Sequence, residues 1–174
     1  MQLLARFRVA LGWVFGPLVL LVAEPTVASL VAGLIVALVG EALRFWAAGH
    51  LNKSREVTAS GPYRWLSHPL YVGSSLLGLG VGIASHSLIA IGLIALYLAL
   101  TLTAAIRSEE AFLRRTFGER YDRFKRGELV RDPDAQRRFS LAQATANHEQ
   151  RAMLGVATVW LLLFLKMRFW YWFL

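Results

Sequence analysis

Four long apolar runs, parted alternately by a few residues and by a polar stretch, dominate this chain and constrain its fold most. Runs of this length need a bilayer or a very large core, and 174 residues make only one domain. The composition agrees: 56% of residues are hydrophobic and the mean hydropathy is +0.48. The expected class is an all-α, polytopic helical membrane protein, forming one membrane domain over residues 1–174. Four to five transmembrane helices are expected, over about residues 7–23, 26–49, 69–84, 88–106 and 152–172. The fourth is read as continuing to about residue 126 as a cytoplasmic amphipathic helix. The first run follows two arginines and meets a second apolar segment almost at once, so it reads as a retained helix rather than a leader.

Charge gives the orientation. Of 19 lysines and arginines, all but Lys166 and Arg168 precede the first helix, lie in or beside residues 44–64, or fall between 107 and 151. With four helices crossing in turn, those three regions share one face, and the two short turns opposite carry no basic residue. The positive-inside rule assigns the basic face to the cytoplasm, as in a bacterial inner membrane. The same distribution argues against a nucleic-acid groove despite the net charge of +8. The absence of cysteine excludes disulfides, thiolate ligands and a cysteine nucleophile. The four histidines lack metal-ligand spacing, and no metal is expected. The last apolar segment is open to two readings. Completed by the aromatic tail with Lys166 and Arg168 it spans the membrane, and otherwise it lies at the interface.

Two stretches carry chemistry. GPYRWLSHPLYVG (residues 61–73) leads from the polar loop into the third helix, which Pro69 is suited to open because its missing N–H has no partner in a first turn. In AIRSEEAFLRRTFGERYDRF (residues 105–124), Ile106, Glu110, Leu113, Phe117, Tyr121 and Phe124 recur at helical spacing, putting Glu110 on an apolar stripe with Glu109 beside it. An ordinary reading pairs Glu110 with Arg114 or Arg107 on the same helix, a contact worth about 0.2–0.5 kcal/mol. Position favours more. In an antiparallel hairpin the end of helix four meets the start of helix three, so His68, Tyr63, Tyr71, a helix N-terminus and two carboxylates surround one pocket at membrane-surface depth. A helix N-terminus attracts a carboxylate and the glutamates attract an ammonium, which together suit a zwitterionic amino acid moiety.

These two stretches resemble the motifs of the isoprenylcysteine carboxyl methyltransferases and the related phospholipid methyltransferases, G-x-Y-x-x-x-R-H-P-x-Y-x-G followed by E-E-x-x-L-x-x-x-F-G-x-x-Y. The resemblance covers about residues 44–124. It implies an integral membrane enzyme that moves a methyl group from S-adenosylmethionine to a lipophilic or amphiphilic acceptor: an isoprenylcysteine-type carboxylate, a phospholipid amine or a similar small hydrophobic molecule. Carried over residue by residue, it assigns Tyr63, His68, Pro69, Tyr71 and Gly73 to the cofactor site from the loop side, and Glu109 and Glu110 from helix four. Ser67 stands where the family pattern has arginine, so Arg44, Arg64 and Arg107 are the candidates for positioning an anionic acceptor. No nucleophile is assigned, because the sulfonium is already an activated donor. The competing reading is a non-catalytic membrane scaffold that binds anionic lipid through its basic cytoplasmic face.

Four smaller expectations complete the reading. Glu41 and Arg44 pair with each other, His50 and His148 are solvated loop residues, and Gly78 and Gly82 serve helix packing. Trp46, Trp160, Trp170 and Trp172 belong to the interfacial belt.

Overall fold

The structure, a computed structural model, describes residues 2–132 and 135–169, with the side chains of the first helix described from Leu11 onward. Among the described residues seven helices follow in order: α1 (Gln2–Val22), α2 (Val27–His50), α3 (Pro69–Ser85), α4 (Leu88–Phe117), α5 (Glu119–Lys125), α6 (Leu141–Ala146) and α7 (Glu149–Phe169). Short 3-10 turns cover Gly61–Arg64 and Leu129–Arg131, and no strand occurs among the described residues. Three helices, α2, α4 and α7, are long and apolar enough to cross a membrane, with α3 and the Leu11–Val22 part of α1 as shorter apolar helices beside them. The fold is that of a polytopic helical membrane protein.

The two tight turns meet at one end of the bundle. Thr26 caps α2, its side chain accepting from the Ser29 amide at 3.1 Å while Ser29 Oγ accepts from the Thr26 amide at 2.9 Å. The preceding turn is pinned to the α3–α4 turn by the Glu24 amide, which donates to the Ser85 carbonyl at 2.7 Å. Ser29 Oγ donates to the Ala84 carbonyl at 3.1 Å. His86, in the left-handed region at φ 49°, ends α3, and Ser87 caps α4. The polar loop and the charged segments therefore gather at the opposite, open end.

The last helix runs along the bundle. Its N-terminal Glu149 meets Arg44 near the open end, and Trp160 Nε1 donates to the Leu30 carbonyl at 3.2 Å near the closed one. Lys166 Nζ then reaches the Leu20 and Leu21 carbonyls at 2.6 and 2.7 Å, two acceptors left without helical partners at the end of α1. Twenty-one residues give α7 about 31 Å of length, close to the hydrocarbon thickness of a bilayer. Antiparallel packing on α2 favours the spanning reading of this segment over the interfacial one. Trp170 and Trp172 lie outside the described residues.

The tightest packing joins α2 and α3. Gly33 faces Gly80 and Gly40 faces Gly73, so closely that a Cβ on Gly80 would lie 2.6 Å from the Gly33 carbonyl oxygen. One on Gly40 would lie 2.7 Å from the Gly73 carbonyl oxygen. Without a water-driven hydrophobic effect between apolar helices, such backbone approach is a main source of attraction in a membrane. Gly78 and Gly82 also serve packing, but their missing side chains face Leu98 and Ile91 of α4.

Next to Gly73 lies a buried ionic node. Arg44 Nη1 donates to Ser74 Oγ at 2.5 Å, Nε lies 2.7 Å from Glu149 Oε1, and Glu41 Oε2 is 3.8 Å away. The contact with Glu149 is close without being a well-aligned hydrogen bond. The expected Glu41–Arg44 pair is thus the looser half of a triad that ties α2 to both α3 and α7.

Two expectations are corrected. The amphipathic helix is not continuous to residue 126: Gly118, at φ 43°, breaks it, a conformation that costs glycine little and other residues more. The turn aims α5 so that Tyr121 and Phe124 still join Leu113 and Phe117, packing with Val57, Ala59 and Leu129 into a small core under the loop. His50 is buried rather than solvated. Its ring lies against Gly61 and Phe139, with Nδ1 3.2 Å from Ser60 Oγ, in space that Gly61 leaves free, while Phe139 takes the space beside Gly49.

Gly33→Ala is expected to push α2 from α3 and destabilise the protein by about 1–3 kcal/mol, whereas Gly92→Ala, with nothing within 4 Å of the new Cβ, is near neutral. Thermal unfolding in detergent compares them. Glu149→Ala strands Arg44 and is expected to cost about 3–5 kcal/mol in the same assay.

Candidate functional site

The α3–α4 hairpin opens onto a cavity of about 420 Å³, within the range of small-molecule sites. Its walls come from four sources. The loop supplies Lys53, Glu56, Val57 and Thr58, the GPYRWLSHPLYVG stretch supplies Tyr63, Ser67, Leu70 and Tyr71, and α4 supplies Ala105, Ser108, Glu109, Phe112 and Leu113. The α4 residues fall at steps of 3, 1, 3 and 1, one helical face turned to the cavity. Phe124 closes it from α5.

Each element is placed for a local reason. Pro62 and Tyr63 fold into a 3-10 turn entered through Gly61 at φ 58°. Burial pushes the Tyr63 phenol far above its ordinary pKa, and the Glu109 carboxylate adds to the effect, so Tyr63 is a neutral group here. Pro69 is fully buried at the start of α3. His68 stands at the N-cap position without capping the helix, and its side chain crosses to α4, where Nε2 lies 3.1 Å from Glu110 Oε1.

The adjacent glutamates divide their roles. Glu110 sits past the apolar part of α4 and accepts from Lys125 Nζ at 2.7 Å as well as from His68. Lys125, then His68, hold its carboxyl down to about 2, so Glu110 is ionised and its charge is committed to a clasp joining α3, α4 and α5. The partner is neither Arg107 nor Arg114; Arg114 faces Asp122 at 3.8 Å. Glu109 lines the cavity and has no ion pair among the described residues. A cation entering the cavity therefore meets Glu109.

The structure brings together Tyr63, Tyr71 and Glu109 on the cavity wall, with His68 and Glu110 joined to each other beside Tyr71, whose ring centroid lies 5.8 Å from that of His68. Gly73, grouped by resemblance with the cofactor residues, is buried against Gly40 and Arg44 instead, because α2 needs that space. None of the three arginine candidates lines the cavity. Arg44 is held in the node by Glu149 and Ser74, while Arg64 and Arg107 are exposed. The cation that does line it is Lys53, which sequence reasoning missed, together with Ser67, Ser108, Phe112 and Phe124. The helical face holding Ser108, Glu109 and Phe112 was visible in the spacing, one residue off the more apolar stripe that drew attention. Lys53 carries no comparable signal, since only the course of the loop brings it in. Chemically, with Glu56 bridged to Arg137, the cavity offers the Glu109 carboxylate and the Lys53 ammonium near polar hydroxyls, with aromatic walls behind them. It suits a zwitterion attached to an apolar or aromatic body.

Because folding lowers the Glu110 pKa below its ordinary 4.5, the clasp contributes its full stabilisation above that pH and loses it as pH falls towards about 2. The contribution is on the order of 1 kcal/mol or less for so exposed a pair. The melting-temperature gap between wild type and Glu110→Gln is expected to hold from pH 7 to about 5 and to close below 4.5.

A family model for phospholipid methyltransferases matches residues 27–120, more than half of the chain, taking in the first motif and the second up to the residue before Tyr121. A nickel-cobalt-cadmium resistance protein of Alcaligenes xylosoxydans xylosoxydans is 38% identical over 89 residues, covering 50% of this chain and 40% of that protein. A cobalt-zinc-cadmium resistance protein of Cupriavidus metallidurans is 39% identical over 89 residues with the same coverage. The match thus spans about two fifths of these curated relatives. No solved structure matches the chain significantly. With a family model fitted over more than half its length, the chain belongs to the phospholipid methyltransferase family.

Proposed function

We propose that this protein is an integral membrane methyltransferase that takes its methyl group from S-adenosylmethionine and transfers it to a lipophilic or amphiphilic acceptor at the cytoplasmic face. The observation that carries this reading is the cavity at the open end of the α3–α4 hairpin, where Tyr63, Ser67 and Tyr71 of one motif face Ser108, Glu109 and Phe112 of the other. Family membership supports the reaction class.

The residues present fit the donor. Glu109 would take the ammonium of its methionine part, Lys53 its carboxylate, and Phe112, Phe124 and Leu113 its ring system. The cofactor supplies an activated methyl group on a sulfonium. The chain's part is to bind, orient and exclude water. Tyr63 stays protonated and so presents a neutral hydroxyl beside Glu109. His68 and Lys125 hold α3, α4 and α5 in register around the cavity through Glu110, which makes them positioning residues. Acceptors of lipid type are favoured by the setting, since the cavity lies where the helices leave their apolar spans. A second cavity of about 420 Å³, lined by Trp13, Phe15, Pro17, Val81, Tyr97 and Leu162, lies deeper between α1, α3, α4 and α7 and offers apolar walls for a chain.

Calorimetry on nanodisc-embedded protein tests the donor. Wild type and the exposed-site control Arg115→Gln are expected to bind S-adenosylmethionine saturably, and Glu109→Gln about tenfold or more weakly, near 1.4 kcal/mol. Failure of the folded wild type to bind would overturn the reading. Transfer of labelled methyl into the organic phase of a lipid extract then identifies the acceptor class.

A further inference from the structure

The loop leaving α2 has two sides. Leu51 and Lys53 face the methyl-transfer cavity, while His50 and Asn52 line a separate recess of about 180 Å³ closed by Gly49, Arg137, Arg138, Ser140 and Gln143. The two hollows share no lining residue. The recess presents two guanidinium groups, a hydroxyl and two carboxamides, and no carboxylate among its described lining residues. Paired guanidinium forks match a phosphate, which accepts several charge-assisted hydrogen bonds at once.

Its frame is built. The Ser140 amide donates to the Gly49 carbonyl at 3.0 Å, and Asn147 Nδ2 donates to the Ala48 and Leu51 carbonyls at 2.8 Å each. The Phe139 ring fills the space beside Gly49 and lies 5.6 Å from Phe45. Arg137 is held by Glu56, with Nη2 2.8 Å from Oε2. Arg138 is exposed in the same wall.

The surroundings choose between a free ion and a lipid. The recess sits where α2 leaves its apolar span, at headgroup depth. Around it Trp46, Trp65, Phe139 and Leu141 are exposed, the two tryptophan rings 5.9 Å apart and Trp65 72% exposed. A site for a soluble anion has no use for such a collar, whereas aromatic side chains beside arginines are the ordinary companions of a phospholipid at the interface. We infer that this recess binds the phosphate of an anionic phospholipid, whose acyl chains descend past Trp46 and Trp65. The site does not depend on the methyl-transfer reading. It touches the reaction cavity through Glu56, which lines that cavity and holds Arg137, and through the Asn52 amide, which donates to Thr58 Oγ1 at 3.4 Å.

The test uses delipidated full chain in an uncharged, phosphate-free detergent, with bound lipid counted by native mass spectrometry and stability followed by thermal unfolding. Phosphatidylglycerol is expected to bind and to raise the melting temperature, and a galactosyl diacylglycerol with the same chains but no phosphate is not. Arg138→Gln, which leaves the Arg137–Glu56 bridge intact, is expected to bind phosphatidylglycerol about tenfold more weakly. Trp65→Ala is expected to weaken the lipid but not inorganic phosphate. Equal retention of the two lipids, or wild-type phosphatidylglycerol binding by folded Arg138→Gln, overturns the proposal. Stabilisation by inorganic phosphate alone, to the extent given by the lipid and unaffected by Trp65→Ala, overturns the lipid assignment in favour of a free-phosphate site.

Discussion

The contact on which the rest depends is that between Gly73 and α2. With no side chain at Gly73, the Gly40 backbone comes close and the Arg44 side chain lies flat across α3. Arg44 then reaches Ser74 on one side and Glu149 on the other. One absent methyl group thereby sets the spacing of α2 and α3 and admits the cation that fastens α7 to both. A half-buried arginine facing buried carboxylates is tolerable only with such partners, since desolvation costs more than any single contact returns. Glu149, at the first turn of α7, adds the favourable end of a helix dipole to the pair.

With α2 and α3 locked at this level, the loop between them has little freedom. It runs from α2 over the small core of Val57, Ala59, Tyr121 and Leu129 to Pro69. The same core is completed by the residues after Gly118, so the two chemical motifs are not merely adjacent. They share a hydrophobic floor. Glu110 then clasps three elements, which frees Glu109, one residue earlier, to face the cavity. Two neighbouring carboxylates thus carry a structural and a binding task, divided by the 100° that separates consecutive residues on a helix.

Much of this was legible in the chain. Apolar runs, Pro69 at a helix start and the distribution of 17 of 19 basic residues led to the long helices, the hairpins and the shared open face, because each is a local or a counting property. The motif residues Tyr63, Tyr71 and Glu109 reach the cavity as the hairpin argument requires. Elsewhere reasoning along one helix fell short. The apolar stripe through Glu110 was real, but it measures contact with the small core, whereas the cavity takes the neighbouring face. Arg44 stood as a candidate for an anionic acceptor, paired only with Glu41, because Glu149, its nearer partner, is 105 residues away in sequence. His50 looked like a loop residue because nothing local shows that Phe139 returns to cover it.

By itself the sequence determined the class, the long apolar helices and the end of the bundle at which chemistry gathers, since hydropathy and charge act within a segment and against the solvent. Tertiary structure alone decided which glycines touch, where helix four breaks its course, and which carboxylate is spent on a clasp and which is left to a ligand. Those outcomes turn on pairings between residues from 15 to more than 100 positions apart. Their energies depend on burial and alignment, which no single segment contains.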